Sequence, residues 1–456
     1  MKPQIKIAYI GGGSRGWAQK LICDLAKENA FLAEVHLYDI DRVSAEKNAK
    51  IANDLLLRED IAGKHKYFVA DTAEEALRDA NFVVLSILPA TFREMHSDVH
   101  LPEEYGIYQS VGDTSGPGGI IRAMRTVPIY RYYGEKIKEC CPNAWVINYT
   151  NPMTLCTATL YRTFPGIKAF GCCHEVFGTQ RLLAKMLKEM RGIDAHYKDI
   201  KVIVTGVNHF TWLTKAQYQS IDLFPLYREF SDKYFESGYG EENKNCFSCR
   251  ERVKFDLFRR FGAIAAAGDR HLAEFCPGKW YLETPEKVAH WQFGLTPVSY
   301  RTDELERRIE KTDRLYRGEE EFTLHETGEE GVMLMKALLG LIPPVITNCN
   351  LPNKGQCPDL PLGAIVETNA EFSADALKPV LADAMPPLVH ALVSRVSNEQ
   401  EALLSAILAK DYDAVFECFL QDALVTISPE QAKELFLRMM ENTKEYIPDA
   451  EQYLKK

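Results

Sequence analysis

The sequence predicts an α/β fold in two parts: a doubly wound parallel sheet first, then a mixed α+β part. Three observations predict it. Short apolar runs alternate with helical patterns as far as about residue 195, the pattern of β-α-β units. A glycine-rich turn follows the first apolar run. Beyond about residue 195 the alternation gives way to a mixed and then largely helical pattern. At 456 residues the chain is too long for one ordinary core, so domains are expected at 1–195 and 196–456.

In chain order, the apolar runs at 5–10, 34–40, 82–88, 145–148 and 168–172 read as strands, and 17–28 and 43–58 read as helices between them. Residues 202–207 read as a further strand. Residues 303–340 and 373–452 have helical patterning, and N-C-N-L-P-N-K-G-Q-C-P-D-L-P between them reads as a loop. Gly11, Gly13 and Gly16 form G-x-G-x-x-G directly after the first strand and before a helix. The first permits a tight turn, the second lets backbone approach a pyrophosphate, and the third allows close helix–strand packing. The helix that follows presents unpaired N–H groups to phosphate. Asp39, in L-Y-D-I-D at the end of the second strand, is placed to bond a ribose 2′-hydroxyl and to repel a 2′-phosphate. The first part is therefore expected to be a Rossmann-type NAD-binding domain, and the chain as a whole resembles the lactate/malate-dehydrogenase architecture.

Composition narrows the function. Hydrophobic residues make up 46% and charged residues 26%, as in a soluble enzyme. A net charge of −10 and a pI near 5.7 argue against a nucleic-acid surface. They leave room for local arginines that bind a small anion. The start of the chain lacks the order of a signal peptide, and no apolar run is long enough to span a membrane. The expectation is a cytoplasmic protein with no membrane or nucleic-acid partner, assembling as a homodimer or homotetramer. Its 12 cysteines are then thiols.

Four segments are expected near the carboxyl ends of the strands: V-G-D-T-S-G-P-G-G (111–119), N-Y-T-N-P (148–152), G-C-C-H-E-V-F-G (171–178) and G-V-N-H-F (206–210). Open α/β sheets bind ligands at the carboxyl ends of their strands. Cys173 and His209 can meet there and hold a metal with positions left open for substrate. A thiolate–imidazole pair suits Mn, Fe, Co or Ni better than a closed structural zinc. On the residues alone, core thiols at Cys172 and Cys173 and a hydrogen-bonded core histidine are the equal alternative.

The combination resembles glycoside hydrolase family 4: NAD- and metal-dependent glycosidases on a dehydrogenase-like fold, outside the usual two-carboxylate mechanism. The likeness runs from about Ile5 past Glu367. It takes in the glycine loop, G-P-G-G, N-P after the fifth strand, and N-x-P-N-x-G…L-P…V-E from Asn350 to Glu367. Around the cysteine the chain reads Cys173-His174-Glu175-Val176. That form resembles the branch acting on α-galacturonides; branches acting on 6-phosphosugars carry Asn in place of His174. The resemblance implies Cys173 and His209 as ligands of Mn²⁺ or a similar ion, with Arg93 and Asn151 on the sugar. It puts Asp113 beside the catalytic centre, Asp269 where some members place a tyrosine base and others an aspartate, and His174 as the acid for the leaving group. A uronic acid needs a cationic partner, and Arg270, beside Asp269 in A-A-A-G-D-R-H, is the first candidate, with Arg93 and His271 as alternatives.

The reaction implied is hydrolysis through transient NAD-dependent oxidation at C3. The ketone acidifies C2–H, a base removes that proton, the C1 group leaves, water adds and the hydride returns. The rival is a net NAD-dependent oxidoreductase of a polyol, sugar or hydroxy acid, which would accumulate NADH. A non-enzymatic NAD sensor is disfavoured by the polar residues gathered at strand ends. Among the remaining features, C-F-S-C (246–249), Cys349 and Cys357 read as packing, G-E-E-E-F (318–322) as a solvated face, and Trp280, Tyr281, Trp291 and Phe293 as core or interface.

Overall fold

The computed structural model describes residues 2–240 and 246–455. Six parallel strands form the base of the molecule: β1 (Gln4–Ile10), β2 (Leu32–Tyr38), β3 (Lys66–Val69), β4 (Phe82–Leu85), β5 (Trp145–Asn148) and β6 (Lys168–Gly171). They lie in the order 3-2-1-4-5-6, that of a dinucleotide-binding sheet. Successive residues serve opposite faces. Ile7, Tyr9, Val35, Leu37 and Val84 enter one core, and Ala8, Ile10, Val83, Leu85 and Val146 enter another. Burial on both faces is why these strands read as continuous apolar runs. β1 and β4–β6 lie within a few residues of the expected runs, whereas the four-residue β3 carries no clear apolar pattern and was not anticipated.

A second sheet stands beside the first. β7 (Ile200–Val207) and β8 (Phe210–Tyr218) form an antiparallel hairpin, β9 (Ile221–Asp222) pairs with β8, and β10 (Ile264–Ala265) closes the other side of β8. Its core is shared with the helices Glu175–Arg191, Phe224–Tyr234 and Arg252–Phe261.

The chain then returns to the first sheet. β11 (Val345–Pro352) pairs antiparallel with β6 at Asn350 and Gly171, and β12 (Ile365–Ser373) and β13 (Ala376–Pro379) continue outward, giving nine strands among the described residues. This corrects the loop expected at 348–361, whose first five residues are strand. Asn348 and Asn350 hid it: they are buried polar residues, while Cys349 and Leu351 alternate with them into the core. The helical stretch expected at 303–340 is two helices, Val298–Arg317 and Gly331–Leu338, separated where Gly318 takes φ 72°. The stretch at 373–452 begins with β13 before the helices Pro387–Ala409, Tyr412–Gln421 and Pro429–Thr443. Trp280 and Trp291 pack against the C-terminal core, which contains Tyr281 and Phe293. All 12 cysteines are free thiols. No described helix is long and apolar enough to cross a membrane.

Candidate active site

The glycine loop closes the carboxyl end of β1. Gly11 has φ 94°, and a Cβ there would run into the Ser86 carbonyl at the end of β4, so only glycine fits. Gly11 and Gly12 donate backbone N–H to the Tyr38 carbonyl, which ties the loop to the end of β2. That places Asp39 against the loop. Its Oδ2 accepts from Gly13 N at 2.8 Å and its Oδ1 from Asp41 N at 2.9 Å. A carboxylate has about four lone-pair sites, so acceptor capacity is left for a ligand hydroxyl. A Cβ on Gly13 would lie 2.9 Å from Asp39 Oδ2 and fill that space. The donor set and the cleared cradle fit an adenine dinucleotide.

The four segments lie near one another, but only those of Asn151 and Cys173 follow strands of the parallel sheet; Asp113 precedes the helix Gly116–Cys140 and His209 turns the antiparallel β7–β8 hairpin. Asn208 and His209 form a two-residue turn between the paired Val207 and Phe210 of the β7–β8 hairpin. His209 takes φ 63°, a conformation a histidine adopts at a cost of about 1 kcal/mol or more, and which tertiary contacts must hold. Its ring is 4% exposed, and Nδ1 is buried with no hydrogen-bond partner. Burial, with the neighbouring His271, lowers its pKa to about 3, so the ring is neutral and its lone pair available. Cys173, just past β6, is buried, and the Asn208 side chain bonds its sulfur. Burial raises the Cys173 pKa well above the usual thiol range, and the Glu367 and Glu175 carboxylates add to this. A bound dication would reverse that balance. Asn208 Oδ1 and Asn151 Oδ1 are also buried without partners. Buried, unbonded donor atoms around a thiol and a neutral imidazole are what a divalent transition metal requires.

Around this pair lie Asp113, Asn151, Glu175 and His271. Asn151 Nδ2 donates to Asp113 Oδ2 at 3.3 Å, and Arg122 Nε donates to the Asn151 carbonyl at 3.2 Å. Burial would raise the Asp113 pKa, but Arg122, His209 and His271 outweigh it and hold the carboxyl well below its usual range. His271 stacks on His209 with centroids 3.8 Å apart, and its Nε2 lies 3.8 Å from Glu175 Oε1. Glu175, the first residue of its helix, accepts from Gly268 N at 2.8 Å. Burial opposes its ionisation, yet His271, His209 and His174 bring its pKa to about 2. Glu367, on β12, is held by Asn208 at 3.0 Å and Asn348 at 2.6 Å, while burial raises its pKa to about 7.

Of the other sequence candidates, two are engaged with backbone and hydroxyl groups and two lie outside the buried cluster. Asp269 is fully buried, and its two oxygens accept from Val253 N (3.2 Å) and Lys254 N (3.1 Å), so it caps the helix Arg252–Phe261. Arg270 spends its fork on the Gly294 and Ser110 carbonyls and the Thr296 hydroxyl, which leaves little for a substrate carboxylate. Arg93 is 70% exposed and paired with Glu94 and Glu445. His174 is half exposed at the cleft rim, its Nδ1 3.8 Å from Glu329 Oε1 and its ring 6.3 Å from Trp17. Arg122 and Glu274 were not singled out in the sequence, and Glu175 and His271 only separately, in the cysteine motif and as an alternative carboxylate partner. Arginines at 122 and 125, set among the apolar residues of I-I-R-A-M-R-T-V, were the available signal for Arg122; Glu274 had none.

Strand order, glycine loop and strand-end cluster together define the dinucleotide-binding class of α/β fold. Comparison with known proteins supplies the family. The model "Family 4 glycosyl hydrolase" matches residues 6–189, and "Family 4 glycosyl hydrolase C-terminal domain" matches 204–425. The chain belongs to glycosyl hydrolase family 4, and it is a glycoside hydrolase. An alpha-galacturonidase of Thermoanaerobacterium saccharolyticum is 57% identical over 449 residues, 97% of this chain and 96% of that protein. A crystal structure of a Bacillus subtilis protein, 49% identical, matches with a TM-score of 0.91 over 96% of this chain and 100% of the other. The 6-phospho-beta glucosidase of Thermotoga maritima, solved with manganese, NAD+ and glucose-6-phosphate, shares the fold at 19% identity and a TM-score of 0.78, over 97% and 99% of the two chains.

Proposed function

We propose that this chain hydrolyses α-galacturonides, with NAD at Gly11, Gly13, Gly16 and Asp39 and a divalent ion such as Mn²⁺ at Cys173 and His209. The observation that carries the reading is His209: a neutral, buried imidazole in a strained turn, its Nδ1 unbonded, beside the residue that bonds the Cys173 sulfur. The substrate class is supported by the alpha-galacturonidase relative and by the Cys173-His174-Glu175-Val176 sequence. The cofactors are supported by the manganese and NAD+ of the Thermotoga enzyme.

Bound NAD would take the C3 hydride and return it after the leaving group has gone, while the ion would polarise the C2 and C3 oxygens. The chain's own groups do the rest. Asn151 orients sugar hydroxyls from its place beside Asp113. His271, neutral and backed by Glu175, accepts the C2 proton. Asp113, kept ionised by Arg122, stabilises the cation that results. His174 at the rim donates to the leaving oxygen. Arg93, exposed near the start of the helix Phe92–His100, exchanges Glu94 for a sugar hydroxyl.

The test is release of p-nitrophenol from p-nitrophenyl α-galacturonide with NAD, Mn²⁺ and a thiol reductant, set against the galactoside and glucoside. The galacturonide should be preferred, NADH should not accumulate, and in D₂O the product should carry deuterium at C2. NADH rising with substrate consumed would make the chain a net oxidoreductase. Hydrolysis without deuterium at C2 would exclude the elimination route.

A further inference from the structure

With Arg270 committed to backbone and hydroxyl oxygens, the cluster needs another cation for an anionic sugar. Arg301 lies one turn into the helix Val298–Arg317. Among the described residues it donates no hydrogen bond and forms no ion pair, and its Nε is buried without a partner. The charges that act on it most are Asp113 and then Arg270, so it faces the same cluster. Its guanidinium lies 5.7 Å from the Phe247 ring, which Arg270 also approaches, at 4.9 Å. A partly buried guanidinium with no acceptor is costly and is relieved by an anion.

The rest of the helix fixes where that anion would lie. Arg308 is seven residues on, about two turns or roughly 10 Å along the axis. A Cβ on Gly16 would fall 2.5 Å from the Arg308 guanidinium, so this end of the helix touches the glycine loop. Glu304 pairs with Arg308 at 3.1 Å, leaving Arg301 without an acidic partner of its own. The N-terminus of the helix is anchored where His100 Nε2 accepts from Val298 N at 3.1 Å, and Val298 packs on Met95 and Val99. The helix therefore spans the cleft from the dinucleotide loop to Asp113, with a rigidly carried, unused fork at the sugar end.

We infer that Arg301 binds the carboxylate of the sugar through its free fork and so determines the preference for uronic acids over neutral sugars. This rests on the galacturonide reading above. A planar fork matches a carboxylate in two parallel hydrogen bonds, which a lysine cannot reproduce.

The experiment uses the holoenzyme with NAD and Mn²⁺ and the variants Arg301→Gln and Arg301→Lys. For p-nitrophenyl α-galacturonide, Arg301→Gln should raise KM by about 30- to 1000-fold with a smaller change in kcat, as expected for a contact made equally in ground and transition states. The Kd of free galacturonate, measured by calorimetry, should rise in parallel, while the Kd of NAD stays within about threefold. Arg301→Lys keeps the charge without the fork and should fall between, at a loss of about tenfold or more. It also carries the test if the Gln variant does not fold. Unchanged galacturonate KM and Kd in the variants would overturn the assignment, as would NAD binding lost in parallel. A wild type that ignores galacturonides yet cleaves neutral galactosides would overturn the substrate reading, and the assignment with it.

Discussion

The proposed chemistry rests on single residues, His209 and Asp39 above all. His209 sits in a left-handed turn position that glycine would occupy without strain, so the fold spends stability to aim an imidazole inward. Cys173→Ala and His209→Ala should each abolish turnover, and EDTA should do the same to the wild type, with Mn²⁺ restoring it. Both variants should bind NAD with unchanged affinity by calorimetry, because the glycine loop is built separately. Full activity of Cys173→Ala in EDTA would remove the metal assignment. Asp39 has its own check. Its carboxylate faces the loop through Gly13 N. Asp39→Ala should weaken NAD by about tenfold or more and narrow the preference over NADP, read as the ratio of the two Kd values. Equal wild-type affinities would show that Asp39 does not meet the 2′-position.

At the scale of elements, short helices place the polar cluster. The helix Asp269–Phe275 carries His271 and Glu274 on adjacent turns. Its first residue, Asp269, caps the helix Arg252–Phe261 through two buried hydrogen bonds. Glu251 and Lys254 beside it form a buried pair at 2.6 Å. Removing the cap leaves two buried N–H groups unsatisfied. Asp269→Ala should therefore cost about 2–4 kcal/mol in urea unfolding. Turnover per folded molecule should fall far less than for Cys173→Ala. A variant of wild-type stability with no turnover would return Asp269 to the role of base. The β7–β8 hairpin is the other placing element: its two-residue turn holds Asn208 and His209 over β6 and β12.

Across the whole molecule, Glu274 joins the two parts of the chain. Its Oε1 accepts from Val111 N at 2.7 Å and Gly112 N at 2.9 Å, which pins the loop that carries Asp113. Burial, with the nearby Asp113 charge, raises its pKa from 4.5 to about 8. The folded state therefore holds a proton that the unfolded chain releases between those values. By linkage, this group's contribution to stability is full below about pH 4.5 and is lost as pH rises to about 8, by up to about 1.4 kcal/mol per pH unit. Glu274→Gln keeps an acceptor for both N–H groups but does not titrate. Melting temperatures from pH 5 to 8 should fall more steeply for wild type than for the variant. Parallel curves would show that Glu274 is not protonated in the folded protein.

Much of this molecule was legible in the chain alone because the governing patterns are local. Strands buried on both faces must be apolar throughout, and a tight turn at φ 94° must be glycine, so β1, β4–β6 and the loop at Gly11 announce themselves. Asn151 and Cys173 follow from the parallel sheet, since such sheets open at their carboxyl ends, whereas His209 reaches them from the antiparallel β7–β8 hairpin and Asp113 from the loop before the helix Gly116–Cys140. Only the tertiary structure decided what depends on distant partners. β11 looked like a loop because its asparagines are polar, and burial against Cys173 and Glu367 makes them strand. By resemblance Asp269 looked like a base, and Arg270 beside it like a partner for the sugar carboxylate, but side-chain direction is set by packing: one caps a helix and the other bonds carbonyl and hydroxyl oxygens. Arg301 carried no signal at all, because a guanidinium without a partner is visible only when every neighbour that could have bonded it is in place.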